Sequence, residues 1–311
     1  MSRPTGRGIG GVRRSPAAAR ARALLPDPVV SGIRSAVRSY GSATASRRPA
    51  PEFLVIGAKK GGTTSVINWL LRHPQVMGMI PRAQSAKSPH YFDINYWRGQ
   101  SWYLSHFPTY AARSRRAGKV GLPQQTGESS PYYLFHPYAA ERIRATTPDA
   151  RLIAILREPV SRAYSNYWDR VATGNETLSS FEEAVAAEPA RLARPESALA
   201  DPRAYDFDHD HHAYLRRGEY APQLRRYFEA FPREQLLVLT FDELRTDAEG
   251  VFQQVQQHLG LEDHALDQSL EAFNVRTDYP KIDPRTRDRL RDHFAPHNAE
   301  LEQLLGRPLG W

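Results

Sequence analysis

The sequence predicts an α/β domain with a mainly parallel central sheet flanked by helices, and three observations carry that expectation. Short continuous apolar runs recur at residues 53–56, 152–156 and 236–239, the pattern of strands buried on both faces. Each run is followed by a segment whose apolar residues repeat with helical spacing, so that strands alternate with helices over residues 51–311. With 311 residues, 41% hydrophobic and 24% charged, the chain has the composition of a soluble globular protein and the size to bury one large α/β core or two small ones. No apolar run approaches the length that spans a bilayer, so no transmembrane segment is expected. The absence of cysteine excludes disulfides, thiolate metal sites and cysteine nucleophiles, and a cytoplasmic location is the expectation that suits it.

The net charge of +8 invites a nucleic-acid reading, but its distribution argues against one. Residues 1–50 contain ten arginines and a single acid, Asp27, whereas residues 51–311 hold 32 basic and 33 acidic residues. The basicity thus belongs to the N-terminal segment, and no nucleic-acid partner is expected. Rich in Gly, Pro, Ser, Ala and Arg, residues 1–50 read as a disordered tail, because so few large apolar side chains cannot offset the entropy of ordering. Val30, Ile33 and Val37 would line one face of a short helix, which leaves weak membrane-surface contact, partner docking or an Arg-rich targeting peptide as alternatives. The folded domain is expected over residues 51–311.

Its first unit is the most informative. Phe53, Leu54, Val55 and Ile56 form a strand, Gly57 to Gly62 a Gly- and Lys-rich turn, and Val66, Ile67, Leu70 and Leu71 one face of a helix. A glycine loop between strand and helix cradles phosphate: backbone N–H groups crowd around an anion, and the helix N-terminus turns its positive dipole end toward it. Gly57 and Gly62 have Walker A spacing, but Thr63 stands where the Walker lysine would be and the lysines come earlier, at Lys59 and Lys60. Hydrolysis of a nucleoside triphosphate is therefore disfavoured, and a different phosphate-bearing nucleotide fits better.

An aromatic segment follows, Tyr91 to Phe107 broken by Gly99, which reads as a packed surface segment rather than a long regular element. Glu128 closes a candidate strand, and a short helix starts near Ala139 and ends before Pro148. The strand at residues 151–156 ends on Arg157, and Glu158-Pro159 opens the next helix. Ligands of open α/β sheets bind outside the carboxyl ends of strands, so Arg157 is placed to meet an anion, with Ser165 on the helix behind it. His209, His211 and His212 lie in a polar connection expected to be a flexible acceptor-side loop, because no second ligand cluster completes a metal site. Helices are expected over residues 214–231 and up to the Gly260 stop. After a polar loop bearing Arg276 and Lys281, the chain closes with an amphipathic helix through Leu290, Phe294, Leu301 and Leu304.

Taken in order, these stretches resemble the sulfotransferases that use 3′-phosphoadenosine 5′-phosphosulfate (PAPS), in particular the group of the heparan sulfate N- and 3-O-sulfotransferases. The resemblance rests on Lys60-Gly61-Gly62-Thr63-Thr64, on Lys87-x-x-His90-Tyr-Phe-Asp93 and on the run from Gly99 to Pro108. It continues through Arg157-x-Pro-x-x-Arg-x-x-Ser165 and Arg217-Gly-x-Tyr220, so it covers nearly all of residues 52–311. It implies a P-loop-NTPase-like single domain and transfer of a sulfuryl group to a hydroxyl or amine of a carbohydrate, glycolipid or other small-molecule acceptor, with no metal required. Lys60 and the amides of Gly61, Gly62, Thr63, Thr64 and Ser65 would hold the 5′-phosphosulfate and Arg157 with Ser165 the 3′-phosphate. Arg276 and Lys281 would belong to a loop that closes over the cofactor. Two rivals stand beside this reading: a P-loop small-molecule kinase, and a nucleotide-binding module that has lost turnover.

The chain departs from the family pattern at Ser88, where relatives commonly carry the Glu taken as general base. If residues 88–90 are strand-like, His90 faces the same way and is the first candidate to take the acceptor's proton; Glu128 is the second. A further departure, Ser129 in place of Lys, points away from heparan-like polysaccharide as the acceptor.

Overall fold

The computed structural model describes residues 27–80, 88–265 and 279–311. Five parallel strands form one sheet in the order β2-β3-β1-β4-β5. They are β1 Phe53–Gly57, β2 Val76–Met77, β3 Gln125–Ser129, β4 Arg151–Leu156 and β5 Leu236–Thr240. The helices that matter for the site are α1 Asp27–Ala43, α2 Thr63–Leu70, α3 Gln100–Leu104, α4 Pro159–Ala172, α5 Phe207–His211, α6 Tyr220–Ala230 and α7 Pro284–Leu305. The α/β class and the parallel sheet agree with expectation, and β1 is the central strand, flanked by β3 and β4. Every residue of β1 is buried, and every residue of β4 except Arg151.

One core cluster packs Leu54, Ile56, Leu152 and Leu156 against Tyr91, Phe92, Tyr103 and Tyr133; a second packs Phe53, Val55, Ile153 and Ile155 against α2 and residues 244–261. The aromatic segment is therefore core: Phe92, Tyr103 and Phe107 are completely buried, and Tyr103 stacks on Tyr91 with ring centroids 4.5 Å apart. The single helix expected over residues 214–231 is broken at Gly218. Glu188 captures the backbone N–H groups of Leu215 (2.7 Å) and Arg216 (2.9 Å), which turns the chain before α6 begins.

The disordered tail is corrected for its second half. Residues 1–26 lie outside the described residues, but α1 is a helix of 17 residues that lies against the domain. Gly41 approaches Ser105 so closely that a Cβ would sit 2.7 Å from the serine Cβ. Arg38 donates to Ser105 Oγ and to the Ile80 carbonyl, and Arg48, 4% exposed, donates to the Phe107 carbonyl at 2.5 Å. These arginines serve as hydrogen-bond donors to loop carbonyls, a role that composition does not reveal. Replacing Arg48 by alanine is expected to cost about 2 kcal/mol of unfolding free energy, the worth of a buried charge-assisted hydrogen bond, as read by urea denaturation. The turnover number should stay within about twofold, below 1 kcal/mol in barrier height; an unchanged denaturation midpoint would contradict the anchoring role.

Among the described residues no helix is long and apolar enough to cross a membrane.

Candidate active site

The loop after β1 is held by the neighbouring strand. Ala58 N–H donates to the Ile155 carbonyl of β4 at 2.9 Å, and Gly61 N–H to the Ala58 carbonyl at 2.9 Å. Gly61 lies so close to β4 that a Cβ there would sit 2.1 Å from the Ile155 oxygen. Gly62 adopts φ 102° as the N-cap of α2, and Lys60 takes the left-handed φ of 72° without being glycine. Left-handed backbone on a non-glycine residue costs free energy and persists where surrounding contacts impose it, as they do here. The result is a backbone cradle aimed away from the sheet at its carboxyl edge.

The cradle opens into a cleft of about 980 Å³. Lys60, Gly62, Thr63, Thr64 and Ser65 line one side, Arg157 and Ser165 another, and Lys281 a third. The structure thus brings together every cofactor residue singled out from the sequence except Gly61, which shapes the turn behind the wall, and Arg276, which lies outside the described residues. The lining contains seven lysine or arginine side chains and one acid, Asp169. A cleft so imbalanced is a receptor for a polyanion.

Four features were missed by sequence reasoning. Lys60 Nζ lies 3.2 Å from Asp169 Oδ1, and Asp169 also accepts from Arg170. Burial would raise the Asp169 pKa, but Lys60 and Arg170 together lower it, so the aspartate is a fixed negative partner that holds the lysine at the cleft wall. Arg157 places its guanidinium 4.7 Å from the centre of the Phe241 ring, and its Nη1 donates to the Lys60 carbonyl at 3.3 Å, tying the two anion-binding residues together. Tyr220 O–H donates to the Arg157 carbonyl at 2.8 Å. The last is Tyr279, whose ring stacks on Trp168 with centroids 6.0 Å apart, while Tyr164 O–H donates to the Pro280 carbonyl at 2.8 Å; these contacts set the segment carrying Lys281 along the cleft rim.

The two loop lysines have separate fates that their shared type concealed. Lys59 reaches the Asp210 carbonyl at 3.1 Å and its carboxylate at 3.7 Å, and Asp210 also pairs with Arg217. Burial lowers the Lys59 pKa to about 7 despite the opposing pull of Asp210. The histidines expected in a flexible loop are instead built into structure around α5. His209 is hydrogen-bonded to Tyr132 O–H at 2.8 Å and stacked on Phe135, and His212 is bonded to Asp208 and the Asn175 carbonyl, both at 2.6 Å.

On β3, which pairs with β1, a buried carboxylate sits at Glu128; it, Ser88 and the expected base His90 are not among the residues that line the cleft. Glu128 is completely buried and accepts from Ser88 Oγ at 2.5 Å, Tyr103 O–H at 2.9 Å and Tyr133 O–H at 3.1 Å. Burial raises its pKa to about 7 against the lowering effect of these three hydroxyls. His90 does not continue a strand: it takes φ 49°, and its N–H donates back to Ser88 Oγ at 2.9 Å. Its Nδ1 lies 2.9 Å from Asp93 Oδ2. Burial alone would lower the imidazole pKa, but Asp93 raises it to about 9, so His90 carries a proton at neutral pH. That pairing favours the protonated imidazole, and Glu128, bonded to Ser88, is the group of this segment better suited to accept a proton.

A basic backbone cradle at the carboxyl edge of a parallel sheet, with an arginine at the next strand end, defines a protein that binds a phosphate-bearing nucleotide. The sulfotransferase domain family model matches residues 50–282, and the chain belongs to that family. It is 28% identical over 307 residues to human heparan sulfate glucosamine 3-O-sulfotransferase 3B1, covering 91% of this chain and 70% of that protein. With human bifunctional heparan sulfate N-deacetylase/N-sulfotransferase 3 it shares 30% identity over 83% of this chain, which spans 30% of that protein's length. Among solved structures, a sulfotransferase from Alicyclobacillus acidocaldarius matches with a TM-score of 0.62 and 30% identity, covering 84% of this chain and 98% of that one. The protein is accordingly a PAPS-dependent sulfotransferase with the P-loop-NTPase-like fold, and a small-molecule kinase is not favoured.

Proposed function

We propose that the protein transfers the sulfuryl group of PAPS to a carbohydrate hydroxyl or a similar small acceptor, with Lys60, Arg157, Ser165 and Glu128 as the principal working residues. The observation that carries the reading is the seven-to-one excess of basic over acidic side chains around the glycine cradle. PAPS supplies the sulfuryl group together with a 3′-phosphate. The cradle and Lys60 are suited to the phosphosulfate end, and Arg157 with Ser165 to the 3′-phosphate. Lys281 adds a further cation at the rim, and Arg276 is assigned to the same loop on the resemblance alone.

The acceptor oxygen forms a bond to sulfur as the bond from sulfur to the bridging phosphate oxygen breaks. Negative charge gathers on that oxygen, and the Lys60 ammonium neutralises it. The acceptor's proton passes to Ser88 Oγ while Ser88 gives its own proton to Glu128 Oε2, along the 2.5 Å hydrogen bond between them. Ser88 thereby occupies the position of the family's glutamate and relays to a carboxylate farther back. Protonated His90 and Asp93 position this segment, since Ser130 Oγ also donates to Asp93 at 2.8 Å.

The acceptor reading draws on the relatives named for heparan sulfate and on an exposed aromatic platform. Trp97 is 41% exposed with the Arg98 guanidinium 4.5 Å from its ring centre, and adjacent Tyr96 packs on Tyr91, next in sequence to His90. An apolar ring face beside a fixed cation suits an anionic or neutral sugar. Incubation with PAPS and a panel of glycans, glycolipids and hydroxylated metabolites, read by mass spectrometry for addition of one sulfonate, tests the assignment. Failure with every acceptor, alongside phosphoryl transfer from magnesium ATP, would overturn it.

The nucleotide assignment has its own test. 3′-Phosphoadenosine 5′-phosphate should raise the melting temperature well above the effect of ADP, and Arg157→Ala should erase the difference. Charge-assisted hydrogen bonds are worth about 1.5–3 kcal/mol, roughly tenfold to a hundredfold in affinity. Equal stabilisation by ADP in the unaltered protein would remove Arg157 from the 3′-phosphate.

A further inference from the structure

We propose that Glu219, His293 and His297 form a binding site for a divalent transition-metal ion, zinc in the first instance, outside the sulfuryl-transfer cleft. His293 and His297 stand four residues apart on α7, so their imidazoles leave the same face of the helix one turn apart, the spacing with which helical histidines chelate zinc. Glu219 enters from the N-cap of α6. One ligand atom from each residue lies within 4.8 Å of the others, and His293 Nε2 is 3.9 Å from Glu219 Oε1. Zinc bonds of about 2.0–2.2 Å separate tetrahedral ligand atoms by roughly 3.4 Å, so modest side-chain rotation closes the three around an ion and leaves the fourth position to water. Two imidazoles and one carboxylate are a donor set that favours zinc, copper or nickel over magnesium or calcium.

The backbone that presents these ligands is held in place. Gly218, immediately before Glu219, packs on Phe294, immediately after His293, and a Cβ at Gly218 would meet that ring at 2.9 Å and Pro159 at 3.0 Å. Arg225 and Glu300 join the same two helices by an ion pair at 2.5 Å. The side chains keep enough freedom to close, with His293 39% exposed and Glu219 19%. The charged group facing the carboxylate from its own segment is Arg216, whose Nε is 3.8 Å from Oε2 and leaves Oε1 turned to His293. From the other side, Glu182, Glu183 and Arg289 share with His293 a second cleft of about 540 Å³, through which an ion can enter. None of the three ligands lines the cofactor cleft, so the metal takes no part in sulfuryl transfer and instead clamps α7 to the segment that runs into Tyr220, the residue bonded to Arg157.

The test uses the full chain stripped with a chelator. Co²⁺ should bind with one ion per chain and give visible ligand-field absorption, and Zn²⁺ should displace it. Zn²⁺ should also raise the melting temperature. His293→Gln, His297→Gln and Glu219→Gln should each weaken Zn²⁺ binding at least about tenfold, one ligand's worth of affinity, and abolish the thermal shift. Their metal-free melting temperatures should match the parent, because the ligands are not core residues, which separates ligand loss from misfolding. Zn²⁺ affinity that is unchanged in all three variants, or no Co²⁺ spectrum at submillimolar metal, would overturn the site. Because the readouts are spectroscopic and thermal, failure here leaves the transferase assignment untouched.

Discussion

Replacing Lys60 by alanine is expected to lower the turnover number about a hundredfold or more, since a preorganised donor aimed at developing charge is commonly worth on the order of 3 kcal/mol. The expectation follows from the position of Lys60 in the turn: its backbone is held at φ 72° and its ammonium is paired at 3.2 Å with Asp169. That pairing also gives the experiment an internal control. Asp169→Asn leaves the lysine charged but loosens its placement, so the loss should be smaller than for Lys60→Ala and fall on turnover more than on affinity for 3′-phosphoadenosine 5′-phosphate. Single-turnover kinetics together with thermal shift separate the two. A Lys60→Ala variant that keeps its turnover number would remove the lysine from the leaving oxygen.

Glu128→Gln should be comparably damaging, with a loss of about 10²–10⁴-fold in turnover, the usual contribution of a positioned general base. A base works only when ionised, so activity of the parent enzyme should rise with pH through about 7, where Glu128 titrates, and then level off. His90→Ala should leave that limb in place, because the imidazole is protonated on both sides of it. Stability supplies an independent readout with the opposite sense. The Glu128 pKa lies above its ordinary 4.5, so the folded protein loses stability as pH rises from 4.5 through about 7. A neutral glutamine removes that dependence, and Glu128→Gln should be no less stable than the parent at alkaline pH. Full activity in Glu128→Gln, with a large loss in His90→Ala, would return the proton to His90.

Much of this site was legible because its signals are local. The cradle, its following helix, and Arg157 at the end of an apolar run each lie within a dozen residues, and strand period, glycine chemistry and helix capping act over that distance. Lys60 and Arg157 stand out that way, Ser165 was singled out by the resemblance to the family, and the structure brings all three to one cleft. What stayed hidden depends on pairs far apart in the chain. Nothing near Ser88 announces that its hydroxyl meets Glu128, or that Tyr103 and Tyr133 complete the set. Reading residues 88–90 as extended missed the left-handed turn at His90 and the Asp93 that charges it. Lys59 and Lys60 are equivalent on paper; only the arrival of Asp210 and Asp169 from distant helices distinguishes them. The N-terminal arginines were misjudged for a different reason: composition predicts how much apolar surface can be buried, and is silent about carbonyls that await donors.

The sheet order has a consequence for how the chain matures. β1 leaves the ribosome early but is the central strand, flanked by β3 and β4, which are made some 70 to 100 residues later. The turn that follows it takes its shape from the Ile155 carbonyl, to which Ala58 is bonded and against which Gly61 is packed. Until β4 has emerged and docked, the segment with the strongest sequence signature has no template to fold on. Affinity for the nucleotide is therefore acquired as a long-range contact forms, and nascent chains ending before residue 156 are dependent on other means of shielding four consecutive apolar residues of β1 from association.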